Sequence, residues 1–521
     1  MPEAAPPTNR TVNRYLRDTG SGVIARRPAP LVDHRDATRQ VWTRAAGLAT
    51  DMIRNSGRLK GAVDQVLADT VGVELVLNPR PDLSLLGYST EEAAEWIATV
   101  KRRWKAYAWN PAECDLRGKL TIPEMVDIAL RHEIAFGECL ALHDYMPPAQ
   151  RRHYGVETGV KTLMVTPSRL VQETSETQRL FQGVFHDENG RATAYKIRRS
   201  GSGAWQYDIF PSHDADGRKM VTHLFQHQDA DDVRGISPLA ASFKKELQAE
   251  MLDDATSQMA ILQTLFAVTL TSNSPSAEAF EAIQAFSNEI RSDELKEAYA
   301  GYFLSVMKRA AENSVSVGTD PAVSHLALDE KLNFETPKVP GPDYQPFKAS
   351  LGREAARAIG ITYGAYSMDH SSATYSSVRM DSATIWPVVL RRRRRIAAPL
   401  PQSIYELWLE EEVATGRTPL KGGYEAFLTH RHALCSANWQ GPAKPTADDQ
   451  KSARASSEKI ENGTSSLARE CADLGVDADE VFAERLAEHR RYVDAGMVSP
   501  FERGSGPSKV VADTTAGTTG Q

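Results

Sequence analysis

The stretch from Pro340 to Arg395 constrains the fold most, because it joins two helix signals across a short polar loop. Pro342 and Asp343 precede a row of apolar residues at steps of three and four, which predicts a helix with one buried face. The row consists of Tyr344, Phe347, Leu351, Ala355 and Ile359. Gly360 tolerates the positive φ found at helix ends, so we expect the helix to stop there. The loop TYGAYSMDHSSAT follows, rich in small and turn-forming residues.

The second helix signal runs from Tyr375 to Val413 and is interrupted by three prolines, Pro387, Pro399 and Pro401. Each proline removes a backbone donor and bends or breaks a helix. The pattern therefore predicts one long helix that is kinked and segmented.

The composition indicates a globular chain with several domains. Its 521 residues are 41% hydrophobic, enough for about three domains with their own cores. No apolar run reaches the roughly 18 residues of a membrane helix, and the N-terminus lacks the apolar core of a signal peptide, so we expect a cytoplasmic protein with no membrane partner. The four cysteines form no CxxC pair, which argues against a disulfide framework and a zinc site. The net charge of −7 limits any nucleic-acid contact to a local or transient one.

Helices predominate in the first part of the chain. We expect helices over Ala37–Asn55 and Gly61–Thr70, followed by a strand in VGVELVL. Ser89 and Glu92 form a capping box for the next helix. The stripe of that helix is expected in the core and holds Trp96, Val100 and Trp104.

Strands follow a second capped helix. Thr121 caps a helix that is expected to end at Gly137, before the strand-like ECLALHDY. From Lys161 to His227 the periodicity falls to two, which predicts strands in KTLMVTP, RLFQGVFHD, RATAYKIRR, AWQYDIF and VTHLFQH. An Asn-Gly pair at the turn makes GVFHDENGRATAYKI a candidate hairpin.

A long amphipathic helix is predicted to begin at Ser237 and Pro238, a strong pair for an N-cap and first turn. Its apolar stripe consists of Leu239, Phe243, Leu247, Met251, Ala255, Met259 and Leu262. Its polar face carries Lys244, Lys245, Glu246, Glu250, Asp253 and Asp254, with a net charge of −2. We therefore expect an acidic helix face.

The remaining segments are an insertion, two helices and two polar termini. Residues 266–338 are expected to form a mixed insertion that starts with an apolar strand, FAVTL. After a small mixed segment at 417–440, helices are predicted over Asp448–Ala472 and Asp477–Ala495, the second with a capping box of Asp477 and Glu480. Residues 1–30 and 501–521 have compositions typical of disorder.

Two pairs of polar residues suggest a metal hypothesis. His132 and Glu133 are adjacent, but no HExxH pattern is present, and solvated helix residues explain the pair more simply. His223 and His227 would lie about 13 Å apart along a strand, too far for one ion. A metal-dependent nuclease or hydrolase that uses His132, Glu133, His223 and the acids at 229–232 stays as an alternative.

Five stretches, in this order and at compatible spacing, carry a family resemblance. They are RNSGRLKGAVDQVLADTVG, GVFHDENGRATAYKI, HLFQHQDADDVRGISPLA, ATYSSVRMDSATIW and WQGPAKPTADDQKSARASSEKIENGTSSLARECADLGVDADEVF. Together they resemble the lambda-type portal proteins of tailed bacteriophages, over nearly the whole folded length.

The resemblance implies an α+β, mainly α, portal fold with a wing, a two-helix stem, an α/β clip and a helical crown, and a ring of about twelve subunits. The implied divisions are a flexible arm at 1–30, a wing with a helical start and a β-rich second half at 31–236, a first stem helix at 237–265, a clip at 266–338, a second stem helix at 339–360, a tunnel loop at 361–374, a kinked helix returning to the wing at 375–440, crown helices at 441–500 and a disordered tail at 501–521.

The resemblance also implies a function. Such a ring occupies one capsid vertex of the virion, is assembled in the host cytoplasm, and passes double-stranded DNA during packaging and ejection. Its implied partners are the terminase large subunit, the major capsid protein and a head-tail connector. No catalytic role and no cofactor are implied, and since GxxxxGK[ST] is absent, ATP hydrolysis is assigned to a partner motor. A second alternative is a monomeric head-tail adaptor or scaffold protein without a channel.

The expected DNA-facing residues follow from the need for weak binding. Each phosphate that Lys or Arg neutralises adds affinity, so a channel for any sequence must avoid tight contacts. The acidic helix face, with Lys244, Glu246, Glu250, Asp253 and Asp254, suits sliding. The loop tip offers one acid, one histidine and hydroxyls for transient phosphate contact. Its residues are Ser367, Met368, Asp369, His370, Ser371 and Ser372.

The run of Arg391, Arg392, Arg393, Arg394 and Arg395 points all round a helix, so at most two of its side chains could face a channel. We expect these arginines to pair between or within subunits, for example with Glu410–Glu412 of a neighbour, rather than to contact DNA. On this hypothesis, Arg393→Glu impairs ring assembly more than DNA retention.

Overall fold

The computed structural model describes residues 32–199, 206–269, 341, 343–371, 373–445 and 449–501. The main helices are α1 (His34–Asn55), α2 (Gly57–Thr70), α3 (Thr90–Ala108), α4 (Ile122–Phe136), α5 (Phe243–Thr269), α6 (Tyr344–Ile359), α7 (Tyr375–Arg392), α8 (Pro399–Ala414), α9 (Gly423–Leu434), α10 (Asp449–Glu461), α11 (Leu467–Asp473) and α12 (Ala478–Asp494). Short helical segments lie at Leu83–Leu86, Pro111–Cys114, Pro148–Tyr154, Pro238–Ala241 and Tyr363–Ser367.

The strands pair antiparallel in small sheets. They are β1 (Val76–Pro79), β2 (Glu138–Tyr145), β3 (Val160–Val165), β4 (Leu180–Phe181), β5 (Val184–His186), β6 (Ala192–Arg198), β7 (Tyr207–Pro211), β8 (Val221–Phe225) and β9 (Ala437–Gln440). The sheet orders are β1-β9, β3-β2-β8 and β4-β5-β6-β7. The predicted hairpin is confirmed as β5 and β6, with Val184 opposite Tyr195 and a bulge at Phe185 and His186. The fold is α+β and mainly α, as expected.

Local signals set several helix ends. The capping boxes at Ser89 and Thr121 are both present, because each hydroxyl accepts from the backbone of the third helical residue and that residue's carboxylate accepts in return. Gly137 ends α4 with φ of 87°, and Gly360 ends α6 with φ of 86°. No helix in the described ranges is both long and apolar enough to cross a bilayer.

The chain divides into two compact units, one formed by residues 1–243 and 353–521 and the other by residues 244–352. In the first unit, Trp104 of α3 lies at the centre of an aromatic cluster. Its ring meets Tyr405 and Trp408 of α8 edge-on, with ring centroids 5.5 and 5.3 Å apart, and Trp439 of β9 at 5.7 Å. This cluster joins segments about 300 residues apart in sequence, and it confirms that the tryptophan stripe is core.

In the second unit, Asp253 of α5 connects α5 to the first half of α6. Its carboxylate accepts the hydroxyl of Tyr344 at 2.5 Å and pairs with the Lys348 ammonium at 2.9 Å. The two helices therefore pack with a polar contact between them.

Four predictions of an element's boundary or type are wrong. The long helix begins at Phe243 rather than at Ser237, because Ser237 caps a separate short turn, Pro238–Ala241. FAVTL is helical as far as Thr269 and not a strand. Gly463, with φ of 69°, separates α10 from α11 where one helix was expected. The β1 strand starts only at Val76.

The expected apolar stripe of α5 is partly exposed. Leu247, Met251 and Met259 have 40%, 71% and 40% of their surface exposed. The single chain therefore leaves part of this stripe uncovered. The arm at 1–30, most of the insertion at 266–338 and the tail after Phe501 lie outside the described residues.

We predict that Gly137→Ala destabilises the protein more than Gly118→Ala. Both glycines have positive φ, which costs an alanine about 1 kcal/mol. A Cβ at position 137 would also lie 2.2 Å from the backbone of Ile236, whereas one at position 118 meets nothing within 4 Å. Thermal unfolding should show the larger loss for position 137, and equal losses at the two positions would contradict the close approach.

Candidate functional site

The loop at 361–374 is anchored at its base. Ile361 and Tyr366 are 2% and 5% exposed and belong to the main core. Thr362 caps the short helix Tyr363–Ser367 by accepting from the backbone N–H of Ala365 at 3.2 Å. The expected irregular polar loop therefore begins with a helical turn that is anchored in the core, and an exposed tip follows.

The tip of this loop is exposed and carries few charges. Met368, with φ of 54°, is 77% exposed, and Asp369, His370 and Ser371 are exposed beside it. The Asp369 carboxylate accepts from the backbone N–H of Ser371 at 3.0 Å, which holds the pKa of Asp369 below its usual value. Ser372, which we expected to contribute to the tip, lies outside the described residues.

Opposite charges line the space beneath the tip. A cleft of about 460 Å³ lies between α6, the loop and α7. Its charged side chains include Arg353 and Arg357 on one side and Asp369 and Asp381 on the other. Because these charges balance, the loop presents no strong field of one sign.

Arg392 of the arginine run is buried and holds the end of α6. It is 4% exposed, and its guanidinium donates to the carbonyl of Ile359, the last residue of α6, at 2.7 Å. Its Nε lies 3.6 Å from Oε2 of Glu133 on α4. A cation next to a helix C-terminus is stabilised by the exposed carbonyls there. Arg392 therefore ties the residue just before the loop to α4 and α7.

Arg393 holds a different helix end. Its guanidinium donates to the carbonyls of Asp69 and Thr70 at the end of α2, at 3.0 and 2.7 Å, and to the carbonyl of Pro442 at 2.9 Å. Burial lowers the pKa of Arg393 to about 10, so the group is still charged at neutral pH. Within the chain, Arg393 contacts carbonyl groups and Arg392 contacts a carbonyl and Glu133.

A π-helical turn lies where the two arginines occur in the chain. Residues Arg393–Ala397 form a π-helical turn, in which the N–H of Ala398 donates to the carbonyl of Arg393 at 2.8 Å. Pro399 and Pro401 follow directly, and their rings exclude the ordinary helical bonding pattern before them. The predicted kinked and segmented helix is thereby confirmed, with its break at 393–398.

Glu410–Glu412, the example given for partners in a neighbouring subunit, are engaged within their own chain. These three carboxylates are at most 7% exposed, and arginines of their own chain already pair with them. Arg218 and Arg431 contact Glu410 at 2.8 and 3.0 Å. Arg417 lies 3.3 Å from Glu411 and 2.6 Å from Glu412, with Arg151 and Arg103 as further partners. A buried carboxylate requires such close partners, so none is free for a neighbour.

The five expected residues of the acidic helix face have different environments. Lys244, Glu250 and Asp254 are exposed on α5. Glu246 is 3% exposed, and Asp253 is half-buried against α6. Three of the five residues expected on the acidic face are therefore exposed.

The candidate metal residues are engaged separately. Burial lowers the pKa of His132 to about 4, and Glu133 is 2% exposed, so the expectation of solvated residues is wrong. His223 contacts Glu138 at 3.0 Å, and Glu138 is paired with the buried Arg234. In the described ranges, no three His, Cys, Asp or Glu side chains are grouped as metal ligands.

Sequence patterns missed the buried partners of the arginines and glutamates. Arg393 and Thr70 are 323 positions apart, and Glu411 accepts the backbone N–H groups of Gly159 and Val160 about 250 positions away. No local spacing marks such contacts. The burial of Tyr366 could have been inferred, because Thr362 is a good N-cap residue and Ile361 and Tyr366 are large apolar residues.

Comparison with known proteins identifies the family. The sequence model of the phage portal proteins, lambda family, matches residues 22–393. The chain belongs to this family. Portal protein B of Escherichia phage lambda is 25% identical over 467 residues, covering 88% of this chain and 86% of the relative. The portal protein of Escherichia phage N15 is similar to the same extent. The chain is thus a portal protein.

Solved structures include more distant neighbours of this portal protein. A chain in the virion of the native gene transfer agent particle matches with a TM-score of 0.37 and 12% identity, over 84% of this chain and 99% of that one. A chain in the neck of the empty gene transfer agent particle matches with a TM-score of 0.36 and 12% identity, over 82% and 93%.

We predict that Arg393→Met lowers the free energy of unfolding by about 3 kcal/mol, because three carbonyls lose a charged donor. Arg379→Met, at an exposed position of α7, should change it by less than about 0.5 kcal/mol. Chemical denaturation of the subunit measures both values. Equal stability of the two variants would contradict the role of Arg393 as a support of the fold.

Proposed function

We propose that this portal protein closes into a ring of about twelve copies around a DNA channel, with the loop at 361–374 facing the DNA. The observation that carries the proposal is the construction of the loop. Its base is buried and tied to α4 and α7 through Arg392, whereas its tip is exposed and nearly neutral. A firmly supported tip can touch a moving polymer without being displaced.

The surface of α5 supports assembly with other copies. Leu247, Met251 and Met259 are large apolar residues that the single chain leaves exposed. Such a row of exposed apolar side chains on one helix marks a contact with another protein. In a ring of identical subunits, the neighbouring copy covers it.

The charges of the loop and of α5 support weak contact with DNA. Asp369 and His370 are the titratable residues of the tip, and Lys244, Glu250 and Asp254 are the exposed charges of α5. None of these sets forms a basic cluster, so few phosphates are neutralised and the duplex can slide.

The ring has partners at both stages of particle assembly. The ring docks the terminase large subunit during packaging and a head-tail connector afterwards, and its outer part contacts the major capsid protein at one vertex. Assembly takes place in the host cytoplasm. The protein has no enzymatic role in this scheme, and the motor partner supplies ATP hydrolysis.

The two alternatives lack comparable support. A metal-dependent hydrolase needs ligands that converge, whereas Glu133 and His223 are each engaged by a different neighbour. A monomeric adaptor would leave the apolar row of α5 in water.

We predict that the double substitution Asp369→Lys with His370→Lys slows DNA packaging. In a ring of about twelve copies it adds many cations to the channel, so transit should fall about tenfold at low salt and recover as salt rises. The measurement is the amount of DNA packaged in particles assembled with the variant.

Glu188→Lys is the matched control, because it adds a cation at an exposed hairpin turn far in sequence from the loop. It should leave packaging unchanged. If rings with the two lysines package DNA at the normal rate at low salt, the loop does not face the DNA.

A further inference from the structure

Three arginines of the run have no partner among the residues that the structure describes. Arg391, Arg394 and Arg395 are exposed on one face of the bent helix, at steps of three and four. None of their side chains forms an ion pair or a hydrogen bond with any residue in the described ranges. Leu390, next to them, is 44% exposed. The surface therefore combines unpaired positive charge with an apolar side chain.

This arrangement is unfavourable in a single chain. Like charges three and four residues apart on a helix repel each other. The carboxylates of Glu410–Glu412, the nearest acidic cluster after the run in the chain, are buried and already paired. An external anionic surface would relieve the repulsion.

The helix α12 carries a row of three exposed glutamates, with Arg491 on the same face at its C-terminal end. Glu480, Glu484 and Glu488 are exposed and follow each other at steps of four, and no ion pair in the described part of the chain involves them. The whole helix of 17 residues has no buried residue. It packs against α11 and leaves its glutamate row exposed.

Both surfaces are attached to the same short segment, Gly441 and Pro442. Arg393 donates to the carbonyl of Pro442, and Gly475, just before α12, lies so close that a Cβ there would be 2.8 Å from the carbonyl of Gly441. The segment that Arg393 holds is thus also the one that lies against the residues before α12. In a closed ring, one patch of each subunit contacts a different patch of the next subunit. Two patches at the same height along the ring axis can therefore meet.

We propose that Arg391, Arg394 and Arg395 of one subunit pair with Glu480, Glu484 and Glu488 on α12 of the next subunit. The proposal rests on the ring of the proposed function and names one of its contacts. A carboxylate surface fits better than DNA phosphate, because Leu390 provides apolar contact area beside the charges and the chain itself carries the complementary row.

The test is a charge swap in the full chain. Arg394→Glu with Arg395→Glu should reduce the fraction of rings at least about tenfold in native mass spectrometry, and Glu480→Arg with Glu484→Arg should do the same. The variant with all four substitutions should return to within about twofold of the unmodified chain. Subunit melting temperatures, measured in parallel, check that each variant is folded.

A crosslink provides a second reading that does not depend on charge reversal. Copies with Arg394→Cys, mixed with copies carrying Glu484→Cys, should form a disulfide-linked dimer within the ring, whereas either variant alone should not. The four native cysteines are buried and do not compete.

The outcomes separate the two proposals. Normal rings from both charge-reversed variants, no recovery in the fourfold variant, or no crosslink in mixed rings would each overturn the pairing. So would normal rings that retain less DNA only in the arginine variant, because that result places the arginines on phosphate. Failure of the unmodified chain to form any ring would instead refute the proposed function itself.

Discussion

The structure depends on two adjacent arginines that hold the ends of two other helices. Arg392 donates to the last carbonyl of α6, and Arg393 to the last two carbonyls of α2. Helix ends leave such carbonyls without partners, and a guanidinium supplies several donors in one plane. Both arginines lie at the start of the π-helical turn Arg393–Ala397. This one short segment therefore contacts the end of α6, just before the loop, and the end of α2.

This arrangement explains how a loop can be both supported and exposed. The loop starts directly after Gly360, and the carbonyl before it is fixed by Arg392. Glu133 on α4 lies beside the same guanidinium, so a displacement of the loop base would be felt in α4 and in α7. The buried carboxylates of α8 stabilise the other end of the bent helix through arginines of distant segments. The tip can then vary its contacts while its base stays in place.

Sequence reasoning predicted those features that depend on residues within about four positions of each other. The capping boxes at Ser89 and Thr121, the helix end at Gly137 and the hairpin of β5 and β6 belong to this group. It could not find the partners of Arg393, because no pattern records which carbonyl 323 positions away comes within reach. The sequence also suggested Glu410–Glu412 as partners at a subunit boundary. Their burial could not be foreseen, because it depends on arginines that converge only in the folded chain.

The most direct test of the account is an image of the purified full-length protein at a resolution that shows helices. We predict closed rings of about twelve subunits in which the loop at 361–374 is the innermost part of each subunit. A protein that stays monomeric under all salt conditions, or rings with this loop on the outer surface, would contradict it.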